Sequence, residues 1–388
     1  MQKKIIALAI AGLASTAAFA QSNVSIYGVV DMAAMHQSAD GLKGTNRIES
    51  GGMAGSRIGF KGTEDLGNGL KALFTLEYNI APDVNSGIGD STTIAKNSGN
   101  IGTSTQSRQA FVGVTGNFGT AVAGRLQTAG FYFAAAYTPF AGTLFDNASL
   151  IGGNLVAGSG ARLNNAVAYI SPTFAGVTLE WDHARMSEDA GNQAGLTTGA
   201  KCGTTTTPLD CAGKDSYANE LSAKYANGPF TAQGVFLSIK SDRTVVRDDN
   251  QQWGLGASYD FGVAKLMAMY KTTKTQTTSA ATNDKTNSMW SLSASAPVSA
   301  NGTVLASYAM SSIDTVKDAD ARGWGLGYRH ALSKRTTVYA NYTSISQDKN
   351  GNLAYATGYV ASSAAGSQIN AGTGTDSKVY GVGVSHSF

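Results

Sequence analysis

Charge is scarce in this chain: Asp, Glu, Lys and Arg account for 14% of it, against about 25% in soluble domains. Proline is scarce too, with 6 residues, and the only cysteines are Cys202 and Cys211. None of the four histidines, His36, His183, His330 and His386, stands close to that pair in sequence, so a metal centre there lacks ligands. Long apolar runs are missing as well. Beyond residue 20 no segment reaches 18 consecutive apolar residues, which excludes a helical membrane protein. Helical apolar periodicity is never sustained past about twelve residues. There is no G-x-S-x-G elbow and no H-E-x-x-H pair, and the chain is expected to be no enzyme. No cofactor and no metal is expected.

The first twenty residues read as a separate unit. Lys3 and Lys4 make a short positive start, Ile5 to Ala14 is an apolar run, and Ala18-Phe19-Ala20 precedes Gln21 as an A-x-A cleavage site. That is the pattern of a secretory signal peptide, too short to span a bilayer. The expected division is 1–20 signal peptide and 21–388 a single domain. The net charge of +3 falls to +1 once Lys3 and Lys4 leave, too little for a nucleic-acid partner. In an exported protein, two cysteines in one polar Gly/Thr-rich stretch are expected to form a disulfide, Cys202 to Cys211.

What the chain has in plenty is glycine, 47 residues, with 16 Tyr and 14 Phe. Apolar and small or polar residues alternate. Val24, Ile26, Gly28 and Val30 share one face; so do Trp253, Leu255, Ala257 and Tyr259, then Trp324, Leu326 and Tyr328, and at the end Tyr380, Val382, Val384 and His386. Period two is the strand signature. Sixteen candidate strands begin near residues 24, 56, 70, 107, 119, 162, 175, 216, 229, 251, 263, 288, 302, 322, 335 and 378. Their connections alternate between short turns, such as DLGNG at 65–69, GNFG at 116–119 and LSK at 332–334, and long stretches rich in Gly, Ser, Thr, Asn and Asp. An even number of strands with long loops on one rim and short turns on the other describes a transmembrane antiparallel β-barrel, all-β, in an outer membrane. The second face carries Arg57, Lys61, Lys71, Glu77, Arg162, Glu180, Asp182, Glu220 and Lys224. A dry core has no place for so many charges, and a water-filled lumen does.

Several segments carry a resemblance: SRIGFKGTEDLGNGLKALFTLEY (56–78), SRQAFVGVTGNFGTAVAGR (107–125), NNAVAYISPTFAGVTLE (164–180), LSKRTTVYANYT (332–343) and the terminal GVGVSHSF (381–388). In these the chain resembles the Gram-negative general porins of the β-proteobacterial type. The resemblance implies a homotrimer of 16-stranded barrels in outer-membrane lipid, passing small ions and hydrophilic solutes. It also implies a third long loop, here about 127–161, folded into the lumen as an eyelet, and it makes Phe388 the C-terminal assembly signal. In the family that loop carries several acids facing a basic wall. Here its only charge is Asp146, which weakens the acidic side.

The pore-constriction candidates are therefore Arg57, Arg108 and Arg162, with Arg125 as a further basic candidate and Glu77 and Asp146 as acids. Arg57 alternates with Ile58 and Phe60 and should face inward, whereas the parity around Arg108 is ambiguous. The expectation is a passive channel with moderate anion preference. A substrate-specific channel for phosphate or organic anions, or a surface adhesin or receptor using the long loops, are the alternatives. Asp248-Asp249 and the pair Asp318/Asp320 are carboxylates at the rim, either solvated or able to take calcium.

Overall fold

A computed structural model describes residues 23–83, 107–151, 162–185, 217–240, 249–276, 285–351 and 374–388. The N-terminal twenty residues, Asp248 and both cysteines lie outside the described residues. The strands are β1 (Asn23–Ala39), β2 (Thr45–Ser50), β3 (Arg57–Gly67), β4 (Leu70–Asn79), β5 (Ser107–Gly116), β6 (Gly119–Gln127), β7 (Arg162–Ile170), β8 (Val177–Arg185) and β9 (Tyr217–Asn227). They continue with β10 (Phe230–Lys240), β11 (Asp249–Asp260), β12 (Lys265–Gln276), β13 (Lys285–Pro297), β14 (Gly302–Ile313), β15 (Ala321–Ala331), β16 (Thr336–Gln347) and β17 (Ser377–Ser387). Two short helices, α1 (Ala129–Ala136) and α2 (Asn147–Leu150), lie between β6 and β7.

Apart from β2 and β3, which both pair with β1, each strand pairs antiparallel with its sequence neighbours, and β17 pairs with β1, so the sheet closes on itself. Closure removes the unpaired edges that lipid does not tolerate. β1 pairs with β3 through Asn23–Val29 and with β2 through Met32–Gln37. β2 and β3 are thus one stave broken at residues 51–56, and the ring has sixteen staves made from seventeen strand segments. The break differs from the long first loop expected between strands near 24 and 56. β1 runs on to Ala39 and turns back through β2 as a hairpin. Gly51, with φ +93°, lets the chain leave the ladder. Residues 51–56 then fold onto Asp31, whose Oδ1 accepts from Met53 N at 3.2 Å and from the Tyr339 hydroxyl at 2.7 Å. The connection between β14 and β15 is also shorter than expected, because β14 extends to Ile313.

The register sorts the side chains. Val24, Ile26, Leu255, Leu292, Leu326 and Val382 are all more than half exposed on the outer wall, where lipid replaces water as the favourable surroundings. The alternate positions face inward. Part of that inner wall is apolar, and the segment after β6 explains it. Phe133, Tyr137, Phe140, Phe145 and Ile151 are fully buried against Met35, Met269, Met289, Leu305, Ile345 and Val379 of the wall. The described part of the connection between β6 and β7, residues 128–151, therefore lies inside the barrel.

Its seat is visible in the glycines of β15. Gly323, Gly325 and Gly327 occupy the inward positions of the GWGLGY run. A Cβ on Gly325 or Gly327 would stand 3.1 or 2.9 Å from the Phe140 ring, so the missing side chains make room for it. The tip is pinned by polar bonds as well. Asn147 Nδ2 donates to Gly323 O at 3.0 Å, Thr343 Oγ1 to Phe145 O at 2.7 Å, and Arg329 to Pro139 O at 2.6 Å.

Candidate pore constriction

The folded-in loop narrows the lumen opposite a charged patch built by β1, β3, β4 and β5. Alternation sends Arg57 from β3 and Glu77 and Asn79 from β4 inward; the ladder sets Gly59 opposite Glu77 and Arg57 opposite Asn79. Arg108 reaches the same side through an irregularity. The β4–β5 register shifts between Glu77 and Tyr78, whose partners are Gln109 and Ser107, so Arg108 is the extra residue of a β-bulge. That bulge is why simple alternation leaves its face undetermined. Arg108 Nε meets Glu77 Oε1 at 2.6 Å and its NH1 donates to Asn79 Oδ1 at 3.2 Å. Arg57 Nε lies 3.6 Å from Glu77 Oε2 and its NH1 donates to Gly55 O at 2.9 Å. The Tyr27 hydroxyl donates to Glu77 Oε2 at 3.0 Å, and Lys61 sits over the Tyr27 ring at 5.1 Å.

One carboxylate thus serves two guanidinium groups. Glu77 is 5% exposed, so its attraction is felt at a lower effective dielectric than that of bulk water. It holds two like charges side by side and leaves one positive charge over. Across the lumen, α1 presents Tyr132, 46% exposed, within electrostatic range of Glu77, Arg162 and Glu180. Arg162 lies over the Phe131 ring at 5.5 Å, a cation–π contact that fixes the guanidinium against the loop.

Two constriction candidates are corrected. The register pairs Arg125 with Ala110, and Ala110 with Leu76, an exposed residue of the outer wall. Alternation therefore sets Arg125 on the outer wall, where its Nε donates to Ser107 O at 2.6 Å and its NH1 to Asn164 Oδ1. Asp146 is 2% exposed and its Oδ2 accepts from Gly142 N at 3.2 Å. It stabilises the turn at the loop tip and presents no open charge to the lumen. At the rim, Asp318 is paired with Lys349 at 3.0 Å and Asp320 accepts from Ile313 N at 2.9 Å. Among the described residues no cluster of three metal-ligating side chains forms.

Sequence reasoning missed α1 and its footing. A signal was there: Thr128 stands before AGFYFAAA as an N-cap residue. Its hydroxyl accepts from Phe131 N at 3.2 Å. The next two donors go to the wall, Ala129 N to Asp182 Oδ2 at 3.1 Å and Gly130 N to Glu220.

Comparison with known proteins places this geometry. The family model described as Gram-negative porin matches residues 7–350. Outer membrane porin protein 32 of Delftia acidovorans is 34% identical over 359 residues, 88% of this chain and 88% of its own. An outer membrane porin protein of Bordetella pertussis is 28% identical over 389 aligned residues, 88% of this chain and 93% of its own. Among solved structures, an anion-selective porin from Comamonas acidovorans superposes with a TM-score of 0.72 at 27% identity, covering 95% of this chain and 100% of that one.

Proposed function

The chain belongs to the Gram-negative porin family, and from that premise we propose that its lumen is a passive channel with a moderate preference for anions, set by the Arg57–Glu77–Arg108 cluster. It resides in the outer membrane of a Gram-negative bacterium and passes small hydrophilic solutes and ions. Family members are channels rather than enzymes, and the reading needs no catalytic group.

The observation that carries the preference is the sharing of Glu77 between Arg57 and Arg108. Arg162 adds a third guanidinium near the in-folded loop, while Glu180 is the one further carboxylate within range of Tyr132 that does not bond α1. In the Arg57–Glu77–Arg108 cluster two cations meet one acid, and the buried Asp146 does not reverse that balance. Guanidinium does not titrate in the working range. One unit charge about 10 Å from a passing ion in water contributes roughly 0.4 kcal/mol before screening. The preference is therefore several-fold and not absolute. The anion-selective neighbour from Comamonas supports the sign. The test is the zero-current potential across a planar bilayer in a salt gradient.

The same reading makes the active form a homotrimer. The outer wall of β5 and β6 carries Ala110, Val112, Val114, Ala121 and Ala123 and no aromatic residue, whereas Trp253, Trp290 and Trp324 mark other parts of the wall. Small side chains suit close contact between barrels, and aromatic ones suit the lipid interface. The proposal includes 1–20 as a signal peptide cleaved near Ala20 and a Cys202–Cys211 disulfide, both outside the described residues.

A further inference from the structure

We propose that Asp182 and Glu220 are positioning residues of the pore: their buried carboxyl groups hold the first turn of α1 against the barrel wall and thereby fix the width of the constriction. The inference rests on the channel reading above.

The two acids are directly opposite each other on β8 and β9. They are 1% and 0% exposed, so they are not part of the ion path. Both point at one place. Asp182 Oδ2 accepts from Ala129 N at 3.1 Å, and Glu220 accepts from Gly130 N. These are donors with no partner inside the helix, at the end where the helix dipole is positive. α1 itself, AGFYFAAA, has no charged residue. Among the described residues, Asp182 and Glu220 are the acids hydrogen-bonded to that end. The remaining neighbours are Glu180, which adds to the negative potential, and the Thr128 hydroxyl, which faces Glu220. Lys224 lies within range of Glu180. Two buried carboxyl groups standing opposite each other are unfavourable on their own. Their persistence here is explained by the helix they bind.

The geometry connects this contact to the eyelet. The loop tip is held by apolar packing of Phe140 and Phe145 and by the bonds of Asn147, Thr343 and Arg329. In the first turn Ala129 and Gly130 are buried on the wall side, where the two acids bond them, while Tyr132 is 46% exposed and Phe131 carries Arg162. If the first turn lifts, Tyr132, Phe131 and the Arg162 that rests on it move together, while the tip stays in place. The expected consequence is a second, wider conducting level.

The test uses the full-length protein in planar bilayers. The double variant Asp182→Asn with Glu220→Gln keeps the shape and one acceptor oxygen per side chain, and puts an uncharged NH2 donor in place of the second oxygen. It should raise the fraction of time in a larger-conductance level by about ten-fold over the parent, and Asp182→Asn alone by about three-fold. Asp182→Ala with Glu220→Ala should do so more strongly. A double amide variant with the parent's single level and dwell times would overturn the proposal. So would failure of all these variants to insert as folded barrels, which would assign the pair to barrel folding. A parent protein that carries no current would instead count against the channel reading itself.

Discussion

Gly28 and Phe388 exchange both of their backbone hydrogen bonds, Gly28 N to Phe388 O at 3.2 Å and Phe388 N to Gly28 O at 3.1 Å. This pair is the last rung where β17 meets β1, and it completes the ring. The Phe388 ring lies over Gly28, where any Cβ would collide with it and with the Arg57 carbonyl. Deleting Phe388 removes the rung and its apolar cover, and Gly28→Val displaces the ring, at a cost of about 1–3 kcal/mol for overpacking. Both changes are expected to lower the yield of folded, heat-modifiable barrel on unheated gels, the deletion more. Equal yields for all three proteins would contradict this.

Glu77 restrains two arginines at once, so replacing it has a sign. Glu77→Gln removes the charge that offsets Arg57 and Arg108. Anion preference is expected to rise by about two-fold at low salt and to lose most of that gain near 1 M, where the Debye length is about 3 Å. Permeability ratios at two salt concentrations check both statements. A fall in anion preference would mean that Glu77 does not face the ion path.

Gly327 is the tightest of the three β15 glycines that seat the loop. A Cβ there would stand 2.5 Å from Asn341 Oδ1 and 2.9 Å from the Phe140 ring. Gly327→Val is expected to dislodge Phe140 from β15 and raise single-channel conductance, with the barrel still formed because the residue faces the lumen. Unchanged conductance in a folded variant would show that the tip tolerates the change.

The disulfide and the trimer are expected to be independent. Closing the short Cys202–Cys211 loop contributes roughly 2.7 kcal/mol in the chain-entropy model, and that acts on the loop rather than on the barrel. Reduction should therefore leave the trimer band intact on an unheated gel. Two free thiols in protein taken from membranes, or a monomer band before reduction, would refute the respective assignment.

The barrel was legible because alternation is a local signal that survives in a single sequence. All sixteen staves have a counterpart among the strands read by period two. The inward loop was not legible from periodicity, because the residues that receive it are the same small positions that alternation assigns to a watery lumen. Gly323, Gly325 and Gly327 read as ordinary inner-face residues until Phe140 is seen against them. Arg108 resisted assignment because a bulge shifts parity by one residue without leaving a mark in composition. Arg125 and Asp146 were misassigned for related reasons: the register puts one on the outer wall, and the other is spent on a turn inside the loop. Asp182 and Glu220 were placed on the right face, but their partner, a helix N-terminus distant in sequence, is supplied only by the fold.

The most direct test of the account is the zero-current potential of the parent pore and of Arg57→Ser and Arg162→Ser in a potassium chloride gradient at low ionic strength. The account predicts an anion-selective sign for the parent. It predicts a preference reduced in each variant while conductance holds or rises, and a decline of the preference in all three as salt increases. A cation-selective parent, or arginine variants with the parent's potential, would contradict it.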